Sequence, residues 1–76
     1  MLISVEGARA AITKMMEVKR YSQQDIARGI ECDIGTVRRI LREEEPLRVQ
    51  GHFIRKLEHM WNTLMGSDLK CPVRRL

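Results

Sequence analysis

Apolar residues in this chain of 76 residues recur every three or four positions, which is the spacing of one face of an amphipathic helix. Short polar turns divide the pattern into four segments. The predicted helices cover residues 5–19, 23–30, 34–44 and 52–65. No segment shows the clear alternation of apolar and polar residues that indicates a β-strand. The sequence therefore predicts an all-α domain of four to five helices.

Residues that favour helix ends mark the boundaries of the second and third segments. Ser22 is the predicted N-cap of the second helix, and Asp25 stands three residues later, where a capping box places an acid. Asp33 is the predicted N-cap of the third helix. Pro46 stops that helix, because proline cannot continue a helix and disfavours helical geometry in the residue before it. Residues 22–42 thus read as a short helix, a tight turn and a second short helix.

The size of the chain limits its function. A chain of this length forms one small domain, and its apolar share of 43% includes one Trp, one Tyr and one Phe. A deep pocket that holds a substrate and excludes water needs a larger scaffold. No nucleophile elbow or glycine-rich loop surrounds any nucleophile in the sequence. We therefore expect neither an enzyme nor a small-molecule substrate.

The charge of the chain is positive and unevenly distributed. The net charge is +4, with a sequence pI of about 9.6. Residues 1–45 hold eight basic and eight acidic side chains, whereas residues 46–76 hold six basic and two acidic ones. The excess of positive charge favours a polyanionic partner.

The cysteine, histidine and hydropathy patterns favour an intracellular protein without a disulfide, a metal site or a membrane segment. Cys32 and Cys71 are far apart, and the spacing of His52 and His59 matches no common metal site. Reduced thiols, no metal and no cofactor are expected. No apolar run approaches the ~20 residues that span a bilayer, and the first residues lack a signal-peptide pattern. The sequence therefore favours a cytoplasmic location without a membrane partner.

The second and third predicted helices carry the residues that a helix-turn-helix needs. Ala27 is the small residue where the two helices cross. Apolar residues at helical spacing lock the pair onto the core; they are Ile26, Ile30, Val37, Ile40 and Leu41. On a helical wheel, Arg38, Arg39 and Arg42 share the opposite face with Gly35. The planar fork of arginine can bind guanine or phosphate, so this face is a candidate DNA-binding surface.

The run from Ser22 to Ala27, Ile30 and the run from Thr36 to Leu41 resemble the DNA-binding helix-turn-helix of Cro and lambda-repressor-type regulators. The resemblance covers roughly a quarter of the chain. It implies that Gln23 binds a phosphate and that the third helix enters the major groove. The candidate DNA-binding residues are Gln23, Gln24, Ile34, Gly35, Thr36, Arg38, Arg39 and Arg42.

Three positions depart from that family. Its members usually have glycine in the turn, where φ is positive, and this chain has Glu31, at a cost of ~1 kcal/mol. We therefore expect a remodelled turn, with Gly29 as the candidate residue. Ile34 and Gly35 offer no side-chain hydrogen bond where relatives often place Gln or Ser.

The segment that leads to Pro46 is also similar to the helix-turn-helix at the front of certain transposases.

The fourth predicted helix has an apolar arc of about 140°, which is wider than one packed face requires. Two interpretations stay open: the whole arc completes the core, or part of it contacts a second copy through Ile54, Trp61 and Met65. Residues 1–66 are predicted to form the DNA-binding domain. Residues 67–76 are predicted to form a basic, flexible tail.

Together these features predict a small sequence-specific transcriptional regulator that binds double-stranded DNA as a homodimer. It would be a repressor or related regulator of the kind that phages, prophages and plasmids encode. Two alternatives stay open: a protein-interaction adaptor or anti-repressor with a helix-turn-helix shape, and the DNA-end-binding domain of a recombination or transposition system. The acids Glu43, Glu44 and Glu45 support the adaptor, because they repel phosphates.

Overall fold

A computed structural model describes residues 1–42, 46–66 and 68–76 of the chain. Within these residues the helices are α1 (Val5–Lys19), α2 (Gln23–Ile30), α3 (Ile34–Arg42) and α4 (Gly51–Met65). Two short strands are also present: β1 (Leu2–Ile3) precedes α1, and β2 (Leu47–Arg48) lies between α3 and α4. The all-α fold class is confirmed. The predicted end of the third helix at Glu44 lies outside the described residues, as do Glu43, Glu45 and Ser67.

All four helices contribute to one hydrophobic core. Its fully buried side chains of largest volume are Ile3, Ile12, Met15, Ile26, Ile30, Ile40, Ile54, Leu57 and Val37. Ala27 is also buried, as expected for the residue where α2 crosses its neighbour. No helix in the described part of the chain is long and apolar enough to cross a bilayer.

The wide apolar arc of α4 is used mainly within the chain itself. Ile54 is 1% exposed and Trp61 is 4% exposed, so neither side chain is available to contact a second copy. Met65 is partly buried and packs against the core. The expected dimer contact through Ile54 and Trp61 is therefore corrected: a small domain needs these large side chains to complete its own core.

The two strands form a small antiparallel ribbon that closes one end of the helical core. Leu2 pairs with Arg48 and Ile3 with Leu47, and the Val49 amide donates to the Met1 carbonyl at 2.8 Å. Ile3 and Leu47 face the core and are buried. The sequence did not indicate these strands, because two residues are too few to show an alternating pattern.

The segment after α4 is packed on the domain, which corrects the prediction of a flexible tail. The Ser4 amide donates to the Arg74 carbonyl at 2.9 Å, and the Leu76 amide donates to the Leu2 carbonyl at 3.0 Å. Ile3 and Arg75 form an antiparallel bridge. Residues 74–76 thus extend the ribbon on the other side of β1. The physical reason is that β1 offers a second edge whose backbone groups need partners.

Gly7 marks the place where this segment crosses α1. A Cβ atom added to Gly7 would collide with the backbone carbonyl oxygen of Pro72. Because that atom belongs to the main chain, it cannot move aside as a side chain would. The glycine therefore allows the backbone of the C-terminal segment to approach α1 closely.

Arg20 ends α1 in the left-handed conformation, with φ 56° and ψ 38°. Glycine adopts this conformation at least cost, because a Cβ atom crowds the backbone there. We expect Arg20→Gly to raise the free energy of unfolding by about 1 kcal/mol, measured by urea denaturation. Arg20→Ala is the matched control, since it removes the same side chain and keeps the Cβ atom. Equal stabilities of the two variants would contradict the expectation.

Candidate nucleic-acid interface

The interface candidate is built on α2 and α3, which pack on each other and on the core. Ile26, Ala27 and Ile30 of α2 are buried, and so are Val37 and Ile40 of α3. Leu41 is half-buried against the same cluster. The helix, turn and helix predicted over residues 22–42 are therefore present, with α3 held by one apolar face.

The turn between the two helices differs from the expected remodelling through Gly29. Glu31 itself adopts the left-handed conformation, with φ 61° and ψ 47°. The Cys32 amide donates to the Ala27 carbonyl at 3.0 Å, which closes the end of α2 in the way a glycine cap does. The turn thus keeps its geometry with a glutamate and carries the strain that the sequence predicted for this position.

Gly29 faces α4 instead. A Cβ atom at Gly29 would lie 2.6 Å from the Met60 Sδ atom, which belongs to the far end of a flexible side chain that can shift aside. Lys56 of α4 also pairs with Glu31, with 3.2 Å between Nζ and Oε2. Both side chains are largely exposed, so the pair adds little to stability. Residue spacing did not reveal this contact, because it joins two helices that are far apart in sequence.

The outward face of α3 is basic. Gly35, Arg38, Arg39 and Arg42 are exposed, whereas Ile34 and Thr36 are half-buried at the edges of the face. This distribution follows from helical geometry, because Val37 and Ile40 point into the core and the arginines must then lie opposite. The expected arginine face is thus on the surface.

Gln23 lies beside this face. A shallow groove between the start of α2 and the second half of α3 is lined by Gln23, Arg38, Leu41 and Arg42. Gln24 is exposed but does not line the groove. The groove therefore combines an amide side chain at the beginning of one helix with two guanidinium groups of the next. Such a set of hydrogen-bond donors suits a phosphate or a base edge.

The beginning of α2 is fixed by the predicted capping box. The Ser22 amide donates to the Asp25 Oδ2 atom at 2.9 Å, and the Asp25 amide donates to the Ser22 Oγ atom at 3.2 Å. These reciprocal bonds satisfy two amides that would otherwise lack partners in the first turn. Gln23 lies between these two residues, so its backbone belongs to a capped first turn of α2.

The hydrogen bonds from the Ser22 backbone amide, and then from its side chain, hold the pKa of Asp25 below the usual value of 3.8. A carboxyl whose pKa is lower in the folded state stabilises the fold above its unfolded pKa, and this contribution is lost as the pH falls through the folded pKa. We therefore expect the contribution to be complete at pH 7, to begin to decrease near pH 4, and to be lost only as the pH falls through the lower pKa of the folded state.

Asp25→Asn tests this expectation. Urea unfolding at pH 7 and pH 3 should show that the variant loses less stability on acidification than the original chain does. The same loss in both proteins would mean that Asp25 does not contribute to the acid sensitivity.

A second, open cleft lies beside the first turn of α3 and the start of α4. Its lining includes Glu31, Cys32, Asp33, Arg48 and His52, so it carries both signs of charge. Burial, and then the nearby Asp33 carboxylate, raise the pKa of the Cys32 thiol. Within the described residues, no group of three or more His, Cys, Asp or Glu side chains has a geometry that would hold a metal ion.

Comparisons of this chain with protein-family models, with curated proteins and with solved structures found no match. A function for the α3 face is therefore inferred from its own residues. Of the predicted DNA-binding residues, Gln23, Arg38 and Arg42 line one groove, and Gly35 and Arg39 are exposed on the same helix.

Proposed function

We propose that this protein is a small sequence-specific DNA-binding regulator whose helix α3 enters the major groove. The observation that carries the proposal is the groove lined by Gln23, Arg38 and Arg42 on the outward side of α2 and α3. Guanidinium groups bind guanine O6 and N7 or phosphate oxygens with paired hydrogen bonds. An amide side chain at the beginning of a helix is a suitable donor to phosphate.

The roles of the residues follow from their places. Gln23 anchors a phosphate at the beginning of α2, which sets the position of the domain on the duplex. Arg38, Arg39 and Arg42 divide base reading and phosphate contact among them. Gly35 has no side chain and no atoms within 4 Å of an added Cβ, so the α3 backbone can approach the duplex there. Ile34 at the edge of the face is suited to contact a thymine methyl group.

We propose a regulator of the phage, prophage or plasmid type, because a chain of 76 residues has room for little more than one helix-turn-helix domain. Small helix-turn-helix domains commonly gain affinity by binding as dimers to half-sites ~34 Å apart. We propose a homodimer on DNA, with a contact surface other than Ile54 and Trp61, whose side chains are buried. The symmetry of the selected DNA site therefore shows how many copies of the protein bind: a palindrome indicates two copies, and a single asymmetric site indicates one.

Selection of binding sites from a random duplex pool at physiological salt tests the proposal. Enrichment of a palindrome with half-sites about one helical turn apart would support a dimeric regulator. Binding that weakens steeply with added salt is expected, because phosphate contacts release counterions.

Other outcomes would indicate the alternatives. A single asymmetric site that matches the ends of a mobile element would favour a recombination or transposition domain. No enrichment, together with no retention of random duplex at low salt, would overturn DNA binding and favour a protein-interaction adaptor. The half-buried Ile34 and the acidic side chains of Glu31 and Asp33 beside α3 are the features that such an adaptor would use.

A further inference from the structure

Arg9 of α1 contacts the far end of α3. Its Nε atom donates to the Ile40 carbonyl oxygen at 3.0 Å, across 31 positions of sequence, and its side chain is half-buried. Ile40 lies in the last turn of α3, and its own side chain is fully buried. Ile40 is thus held in two ways: its side chain packs in the core, and its backbone carbonyl accepts a hydrogen bond from α1.

The chemistry of this contact suits the end of a helix. Carbonyl groups in the last turn carry the negative end of the helix dipole, which attracts a positive charge. A guanidinium group that donates to such a carbonyl makes a charge-assisted hydrogen bond, which is stronger than a neutral one. Lys would reach the same carbonyl without the planar geometry of Arg.

The contact also restricts how α3 can turn. Val37 and Ile40 attach α3 to the core through its apolar face. The hydrogen bond to the Ile40 carbonyl is a second attachment, and it restrains rotation of α3 about its axis. Arg38 and Arg42 stand two positions before and after Ile40, so the orientation of α3 at Ile40 sets the direction in which their Cα–Cβ bonds leave the helix.

We propose that Arg9 is a positioning residue that orients α3 for base reading, an inference that rests on the proposed DNA-binding function. It acts through the Ile40 carbonyl and does not itself contact the duplex. Base hydrogen bonds require a particular direction of the side chain, whereas phosphate contacts tolerate small rotations. Loss of the Arg9 contact should therefore reduce discrimination between sequences more than it reduces general affinity for DNA.

Arg9→Met tests this role, because methionine has a similar length and no hydrogen-bond donor. The affinity of the variant is measured for the duplex selected from the random pool and for a random duplex, each at several salt concentrations. We expect about ten-fold weaker binding of the selected duplex, which corresponds to the lower end of the range for one charge-assisted hydrogen bond, with little change for the random duplex. The slope of log affinity against log salt concentration should stay the same, since no phosphate contact is lost.

Lys14→Met is the matched control, since it removes one exposed positive charge from the same helix. It should change neither the ratio of the two affinities nor the salt slope. A decrease in the slope by about one in Arg9→Met, with equal weakening on both duplexes, would show a direct phosphate contact and overturn the positioning role. Unchanged discrimination in a folded Arg9→Met variant would also overturn it.

Far-UV circular dichroism shows whether the variants fold. Where Arg9→Met is unfolded, Arg9→Lys replaces it, and partial loss of discrimination is the expected result. Loss of helical signal in both variants would overturn the inference, because Arg9 would then serve the fold as a whole. Failure of the original chain to bind any duplex is a separate result that overturns the proposed function, and the inference with it.

Discussion

Replacing Arg38 and Arg42 together by alanine is expected to weaken binding of the selected duplex by about 2–5 kcal/mol, as each side chain contributes roughly 1–3 kcal/mol when it reads a base or binds a phosphate. Both side chains line the groove beside Gln23. Replacing Arg39 alone is expected to cost ~1–3 kcal/mol. Gel shifts at constant salt concentration measure the affinity of the original chain, of the Arg38/Arg42 double variant and of the Arg39 variant for the selected duplex.

The control for that experiment removes two other exposed positive charges. Lys14 of α1 and Arg55 of α4 are exposed and do not line the groove. Lys14→Ala/Arg55→Ala changes the net charge by the same amount as the groove variant. If the two double variants lose the same affinity, DNA binding depends on total charge, and the assignment of the α3 face is wrong.

Trp61→Ala is expected to lower the free energy of unfolding by about 3–5 kcal/mol. Trp61 is 4% exposed, and its Nε1 atom donates to the Leu69 carbonyl at 2.6 Å. Alanine would leave a large cavity in the core and would also remove the hydrogen bond to the segment that follows α4. Because native domains have a total stability of only about 5–15 kcal/mol, this loss is a large fraction of the total and should clearly lower the urea midpoint.

Trp61→Phe separates the two contributions of this residue. Phenylalanine keeps most of the buried aromatic surface and loses the hydrogen bond to Leu69, so a loss of about 1–2 kcal/mol is expected. Urea denaturation followed by far-UV circular dichroism is the suitable measurement, since Trp61 is the only tryptophan in the sequence. A Trp61→Ala variant within 1 kcal/mol of the original chain would contradict the packing described for α4.

The candidate site was predictable in part. The exposed arginines of α3 follow from the helical wheel, because Val37 and Ile40 identify the buried face and the remaining positions must lie opposite. The closeness of Gln23 to Arg38 and Arg42 depends on how α2 packs on α3, which no spacing within one helix reveals. Lys56 and Arg9 were not predicted for the same reason, since each contacts a residue of another helix.

The sequence alone determined the local structure of this protein. The bounds of α2 agree with its prediction, and Ser22 and Asp25 form the predicted cap. Apolar spacing, capping and backbone sterics act over a few residues, so they can be read directly from the order of amino acids. The all-α class follows from the same local rules.

Packing between the helices and strands determines which surfaces remain exposed. The pattern left two interpretations open for α4, and packing places Ile54 and Trp61 inside the core. The basic segment expected to be flexible instead extends the ribbon beside β1 and crosses α1 at Gly7. These contacts join residues more than 50 positions apart, and their energy depends on shape and edge pairing in three dimensions, which residue spacing does not contain.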